Sequence, residues 1–348
     1  MSDSRTYRLG DFSTTVRFCT PREALLVNAE RVPLYLSDTN VTRIIKDLLP
    51  PDLDPRHVLV FPAGEEHKEW PQIQQAILRG FDLGLARDDW FVAVGGGVVT
   101  DMGAFAASIY LRGCKVALVP TTLLAMVDAS FGGKTGIDFG GYKNMVGSFY
   151  PAHELHIAPA FLTTLPESDF RSGLGEVIKH AILDDEPTWK LLHNRKDAVL
   201  ARDPELLHEI VRSSLAVKGR VVEADLKEQS IRAHLNLGHT FGHALESVAG
   251  FGTWTHGEAV CWGIVRALLL SVRLGLAEAS YAKEVRQLIE AYGFRTHCQE
   301  NPQALLNAMK MDKKKKGGQV RFVLQEGLCK TQTRPVDDAD ILSVLADA

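Results

Sequence analysis

Two textures along the chain predict an α/β N-terminal half built on a mainly parallel sheet and a mainly α-helical C-terminal half. From about 23 to 150, short apolar runs end in Gly, Pro, Ser or Thr and alternate with helical patterns, which is the rhythm of β-α-β units. From about 160 onward, segments such as "PELLHEIVRSSLAVKGRVVEAD" and "YAKEVRQLIEAYGF" repeat apolar residues every three or four positions, the period of amphipathic helices. At 348 residues the chain is long enough for about two domains, each able to bury its own core.

In the first half, "VPLYLSD", "HVLVFPAG", "WFVAVGGG" and "KVALVPTT" read as buried parallel strands, and "EWPQIQQAILRGFDLG" as a connecting helix. The most apolar long stretch, "AVCWGIVRALLLSVRLGLA", carries Arg266 and Arg273 and falls short of the roughly 20 apolar residues of a membrane span. It reads as a buried helix. A late alternating run, "GQVRFVLQEG", predicts a strand or hairpin that returns to the first half. The N-terminus "MSDSRTYRLGDF" lacks the apolar core of a secretory signal, which predicts a cytosolic protein. A formal net charge of −4 shows no basic excess of the kind nucleic acid attracts. The five cysteines, Cys19, Cys114, Cys261, Cys298 and Cys329, have no C-x-x-C spacing. That argues against a disulfide framework or a thiolate zinc site and leaves nitrogen and oxygen ligands for any metal.

"VAVGGGVVTDMGAFAASIYLRG" places Gly95, Gly96 and Gly97 between a strand and a helix. Backbone amides there can approach a phosphate at a helix N-terminus, although such glycines also serve close packing alone. Two further strands end in "LSDTN", with Asp38 and Asn40, and "PAGEEHK", with Glu65 and Lys68. Carboxylates at the carboxyl ends of parallel strands suit ribose hydroxyls, so a dinucleotide fits. "VDASFGGKTGIDFGGYKNMVGSFY" carries Asp128, Lys134, Lys143 and Asn144 on loops too Gly-rich for a regular strand. Lysines and an amide there suit an anionic substrate, or an ordinary solvated loop. "GLGEVIKHAI" sets Glu176 and Lys179 three apart on one helical face, where a salt bridge accounts for them equally well.

"NLGHTFGHALESVAGFGTWTHGEAV" gathers His239, His243 and His256, preceded by Lys218, Arg232 and Asn236. Helical spacing puts His239 and His243 on one face, able to share a target. The arrangement is not H-E-x-x-H. Hydrogen-bonded core or cap histidines are the plain alternative; three imidazoles beside glycines that admit a close approach favour a site. "MDKKKKGGQVRF" adds Lys313 and Lys314, which read first as a solvated charge run.

Together these motifs carry a resemblance running from "LSDTN" to "MDKKKKGGQVRFVL". The chain resembles the 3-dehydroquinate synthases of the sugar phosphate cyclase family, with "GGGVVTDMGAFAASIYLRG", "VPTTLLAMVDASFGGKTGID", "KNMVGSFY", "GLGEVIKHAIL", "LNLGHTFGHALE" and "HGEAV" in order. The resemblance implies a dehydroquinate synthase-like fold: an NAD-binding α/β domain over 1–158, a helical metal- and substrate-binding domain over 159–348, an active site between them and commonly a homodimer. It makes Glu176, His239 and His256 ligands of a divalent metal, zinc or cobalt, and assigns His243 to the substrate instead. Asp128, Lys134, Asn144, Lys179, Lys218, Arg232, Asn236 and His243 would line a small sugar phosphate, Arg112 would reach a partner subunit's site, and Lys313 or Lys314 would close over the phosphate. NAD would rest on Asp38, Asn40, Glu65, Lys68, Gly95, Gly96, Gly97, Asp101, Thr121 and Thr122, with Lys143 nearby.

The implied reaction takes 3-deoxy-D-arabino-heptulosonate 7-phosphate to 3-dehydroquinate and phosphate. It runs through transient oxidation by NAD, phosphate elimination, re-reduction and intramolecular aldol closure. Thr100 departs from the glycine common in relatives, and "DASF" replaces a Ser-rich version. Arg232, Asn236 and His243 stand together as a carboxylated substrate requires, whereas cyclases acting on other sugar phosphates alter this region. A metal-dependent alcohol dehydrogenase of related fold would share the glycine turn and histidines but give the lysines no anionic partner. A catalytically idle relative would have no need of the ligands retained here.

Overall fold

The computed structural model describes residues 3–250, 252–314 and 320–346. It divides into two compact units, Met1–Leu165 with Gly219–Lys227, and Pro166–Lys218 with Glu228–Ala348. Among the described residues no helix is long and apolar enough to cross a membrane.

The first unit is built on β1 (Asp3–Leu9), β2 (Phe12–Phe18), β3 (Leu34–Asp38), β4 (Val58–Phe61), β5 (Trp90–Gly95), β6 (Lys115–Pro120) and β9 (Glu154–Ile157). They form one sheet in the order β1-β2-β9-β6-β5-β3-β4. Only β1 and β2 pair antiparallel, a hairpin that the polar N-terminus does not announce. Every residue of β5, "WFVAVG", is buried, as a strand covered on both faces demands. Helix Gly97–Ile109 lies against β5 so closely that a Cβ on Gly103 would sit 2.4 Å from the Ala93 Cβ. From β3 the chain leads to β4 on one side, and from β5 to β6 on the other. The carboxyl ends of β3 and β5 therefore flank the switch point of the sheet, where α/β folds form a crevice.

Most of the Gly-rich segment predicted as loop is instead a hairpin, β7 (Lys134–Phe139) with β8 (Tyr142–Phe149), whose register shifts between Ile137 and Phe139. Two of its glycines serve strand contact: Gly136 and Gly147 face each other, and a Cβ on Gly147 would fall 2.0 Å from the Thr135 carbonyl oxygen, while Gly140 and Gly141 make the turn at positive φ. A second expectation also fails. The hairpin β10 (Arg321–Gly327) with β11 (Lys330–Pro335) belongs to the second unit and does not return to the first. Apolar contact decides its place, since the Phe322 ring lies 5.1 Å from that of Phe241 and the Gln325 N–H donates to Ser271 Oγ at 3.1 Å.

In the second unit, helices Glu167–Asp184, His239–Ala249 and His256–Arg273 come close enough for their backbones to touch. A Cβ on Gly257 would fall 1.9 Å from the Ser172 carbonyl oxygen, and one on Gly263 2.0 Å from that of Gly238. Only hydrogen fits at such approaches. Arg266, 1% exposed on the long apolar helix, donates to the carbonyls of Val344 at 2.9 Å and Thr296 at 2.7 Å. A buried guanidinium is thereby solvated by backbone.

Gly263→Ala therefore costs about 1–3 kcal/mol in denaturant unfolding, the scale of an overpacked core. Gly327→Ala, with nothing within 4 Å of the added carbon, changes stability by less than about 0.5 kcal/mol. Equal effects at the two positions would contradict the backbone-contact account.

Candidate functional site

At the switch point of the first unit, Asp38 closes β3 and accepts the backbone N–H groups of Asn40 and Val41, each at 2.8 Å. Gly95 ends β5 because a Cβ there would collide with Val99 at 2.6 Å. Gly96 and Gly97 open the following helix, whose first-turn N–H groups point outward as helix starts require. Close packing thus explains Gly95, whereas a Cβ on Gly96 would lie 3.1 Å from the Thr122 methyl and one on Gly97 3.4 Å from the Ala129 Cβ. Thr100 is buried, and its hydroxyl lies 3.1 Å from the Gly97 carbonyl, so the first turn absorbs this departure from glycine. Thr121 and Thr122 follow β6, and the Thr121 N–H donates to the Gly95 carbonyl at 2.9 Å.

Glu65, Lys68, Asp101, Lys143 and Asn144 come together beside this crevice. The Lys68 ammonium lies 2.7 Å from Asp101 Oδ2 and 2.7 Å from Asn144 Oδ1, while Lys143 reaches Glu65 at 4.0 Å. Burial alone would lower the Lys68 pKa, but the Asp101 and Glu65 carboxylates outweigh it and hold the pKa above its ordinary value. Lys134 begins β7 at the surface, and half-buried Asp128 lies in the helical turn Ala125–Ala129. Arg112 stands exposed, next to exposed Leu111, and both hold positive φ, 64° and 48°.

In the second unit, Glu176 lies at mid-helix with no exposed surface. Its Oε1 is 3.6 Å from His239 Nε2 and 3.4 Å from His256 Nε2, while its Oε2 pairs with Lys179 in the next turn. The three donor atoms all lie within 4.8 Å of one another. Ligands about 2.1 Å from one tetrahedral ion stand roughly 3.4 Å apart, so a carboxylate and two imidazoles at these separations fit zinc or a similar cation. His239 Nδ1 lies 3.2 Å from the Leu237 carbonyl. An N–H donated there leaves Nε2 with the lone pair a metal needs.

Burial, and then the Lys179 charge, hold His239 well below the ordinary imidazole pKa. Burial also pulls His256 down, but Glu176 and Glu246 outweigh it and push its pKa up to about 10. A cation bound by His256 thus competes with a proton.

His243 shares the helix face with His239, as the spacing predicts, with ring centroids 5.3 Å apart. The donor set nonetheless forms around Glu176 on another helix, and His243 is exposed. Lys179, Lys218 and Arg232 are buried. Arg232 and Asn236 lie in the short helical turn Ile231–Asn236 leading to His239. Two residues escape the sequence reading. Glu246 stands 3.8 Å from His256 Nδ1, and Glu228 accepts a hydrogen bond from Asn236 Nδ2. Glu246, seven residues after His239 on the same helix face, carried a periodic signal; Glu228, in an irregular segment, carried none. The side chains of Lys313 and Lys314 lie outside the described residues.

Family models match the chain over residues 58–172, as 3-dehydroquinate synthase N-terminal, and 173–315, as 3-dehydroquinate synthase C-terminal. A 3-dehydroquinate synthase from Acidithiobacillus ferrooxidans (strain ATCC 53993 / BNL-5-31) is 44% identical over 306 residues, covering 88% of this chain and 82% of the relative. One from Teredinibacter turnerae is 42% identical over 92% of this chain and 88% of its own length. Among solved structures, a 2-epi-5-epi-valiolone synthase from Streptomyces hygroscopicus subsp. jinggangensis 5008, with NAD+ and Zn2+ bound, superposes with a TM-score of 0.89. It is 25% identical, covering 99% of this chain and 98% of that one.

Proposed function

The chain belongs to the 3-dehydroquinate synthase family, and from that premise we propose a role for each part of its site. The activity is that of a phosphate-eliminating carbon-oxygen lyase that converts 3-deoxy-D-arabino-heptulosonate 7-phosphate to 3-dehydroquinate and phosphate with NAD and a divalent metal. The observation that carries this reading is the Glu176, His239 and His256 cluster in a chain that also builds a glycine turn at its sheet's switch point. When bound, NAD supplies a hydride acceptor restored within the same turnover, and the metal supplies Lewis acidity at substrate oxygens.

Glu176, His239 and His256 hold the metal. Asp38, Asn40, Glu65, Gly96, Gly97, Asp101, Thr121 and Thr122 cradle the dinucleotide, with Gly95 setting the turn and Lys68 and Lys143 flanking it. Arg232, whose planar fork matches a carboxylate, orients the acid end of the substrate. Lys134, Asn144, Lys218 and Asn236 bind its oxygens, and Asp128 and Lys179 complete the polar lining. His243, exposed one turn beyond His239, is placed to move protons to and from substrate oxygens. Lys313 or Lys314 supplies a further charge to the phosphate.

Phosphate release from the heptulosonate phosphate tests these roles. Alanine at Glu176, His239 or His256 abolishes release and lowers bound metal below one equivalent; three variants that keep a full equivalent would remove the ligand assignment. Arg232→Lys lowers kcat/KM about tenfold or more, the scale of one charge-assisted hydrogen bond. Unchanged efficiency would remove the carboxylate role.

Arg112 serves the site of a second copy in a homodimer. The support is its outward position beside exposed Leu111, in a backbone conformation that costs about 1–3 kcal/mol per residue and persists where function uses it. Mixing inactive Arg112→Ala with inactive Lys179→Ala subunits restores activity if each supplies what the other lacks. No recovery after subunit exchange would overturn the shared site.

A further inference from the structure

We propose that Lys68 is a positioning residue for Asn144: its ammonium holds the side-chain carbonyl, so that Asn144 presents its NH2 group to the substrate. The proposal rests on the reading of Asn144 as a substrate residue. Resemblance places Lys68 with the nucleotide, yet in the structure it joins both sets.

Lys68 is 4% exposed, and its Nζ is shared between Asp101 Oδ2 and Asn144 Oδ1, both at 2.7 Å. An ammonium has three donors and no acceptor, so only the oxygen of the amide can face it. The amide nitrogen is left to point the other way, as a donor of two hydrogens. A sugar phosphate offers acceptors at each hydroxyl, carboxylate and phosphate oxygen, and a donor suits all of them.

The backbone holds the same arrangement. The Asp138 N–H donates to the Lys68 carbonyl at 2.7 Å, and the Asn144 N–H donates to Asp138 Oδ1 at 2.8 Å. Asn144 sits at φ 54°, a left-handed conformation that asparagine tolerates better than most residues. The β7–β8 hairpin is therefore pinned to Lys68 at two points, the Asp138 N–H on its carbonyl and the Asn144 side chain on its ammonium, while the Asn144–Asp138 bond ties the hairpin to itself. Asp101 is what keeps the buried cation charged, since its carboxylate offsets the burial that would otherwise lower the lysine pKa. Lys68 thus engages two of its N–H bonds inside the protein, one on Asp101 and one on Asn144.

The test uses the full-length enzyme at saturating NAD, with KM and kcat for the heptulosonate phosphate and calorimetric NAD affinity measured separately. Lys68→Met raises the substrate KM about tenfold, the scale of a lost supporting contact. The double variant Lys68→Met/Asn144→Ala is no worse than Asn144→Ala alone, because the lysine acts through the asparagine. Asn144→Asp keeps an oxygen for Lys68 but exchanges the outward donor for an acceptor, so its KM rises at least as far as that of Asn144→Ala. Should Lys68→Met fail to fold, this aspartate variant decides.

Additive effects of Lys68→Met and Asn144→Ala would overturn the proposal. So would a Lys68→Met variant altered in NAD affinity alone, or a wild-type KM in Asn144→Asp. A wild-type KM in Asn144→Ala removes the substrate role of Asn144 and the proposal with it, an outcome distinct from the others.

Discussion

The second unit depends on one buried carboxylate. Glu176 has no exposed surface, and an ionised group so placed survives only against positive charge or a cation. Lys179 meets one of its oxygens, and the two imidazoles stand around the other. The imidazoles arrive on separate helices, and those helices reach the carboxylate only because Gly257 and Gly263 let backbones touch where any side chain would collide. Structure and chemistry share this constraint: the contacts that close the core also set the spacing of the donor atoms.

In the first unit the corresponding constraint is the sheet order. Strands are added on opposite sides of the adjacent, parallel β3 and β5, which opens a crevice at their carboxyl ends, where Asp38 and the glycine turn lie. The β7–β8 hairpin then brings Lys143 and Asn144 to the same rim, tied through Lys68 and Asp138. Lys68, Asp101, Asp138 and Asn144 thus brace the rim of the crevice as one hydrogen-bond network.

Much of this was legible in the sequence. Buried parallel strands leave apolar runs that end in glycine and threonine, so β3, β5 and β6 and the residues at their tips were readable as a nucleotide crevice. The Glu176, His239 and His256 cluster was readable only in part, because helical spacing joins His239 to His243, whereas Glu176 and His256 come to His239 from other helices. Glycines were ambiguous for the same reason. The absence of a side chain reads alike whether a phosphate, a strand or another helix fills the space, and at Gly136, Gly147, Gly257 and Gly263 it is protein backbone. The alternation in "GQVRFVLQEG" showed a strand but not its partner surface, which Phe241 and Ser271 on distant helices decide. Glu228 was invisible because its bond to Asn236 forms in an irregular segment without a period.

The central claim is that the dinucleotide turn and the buried Glu176 cluster serve one closed redox cycle. Counting hydrides tests it most directly. With NAD far below the heptulosonate phosphate, phosphate release should run to completion without accumulation of NADH, and a chelator that removes the metal should stop it. NADH absorbance rising in step with substrate loss, while phosphate stays esterified, would contradict the account and replace it with net oxidation.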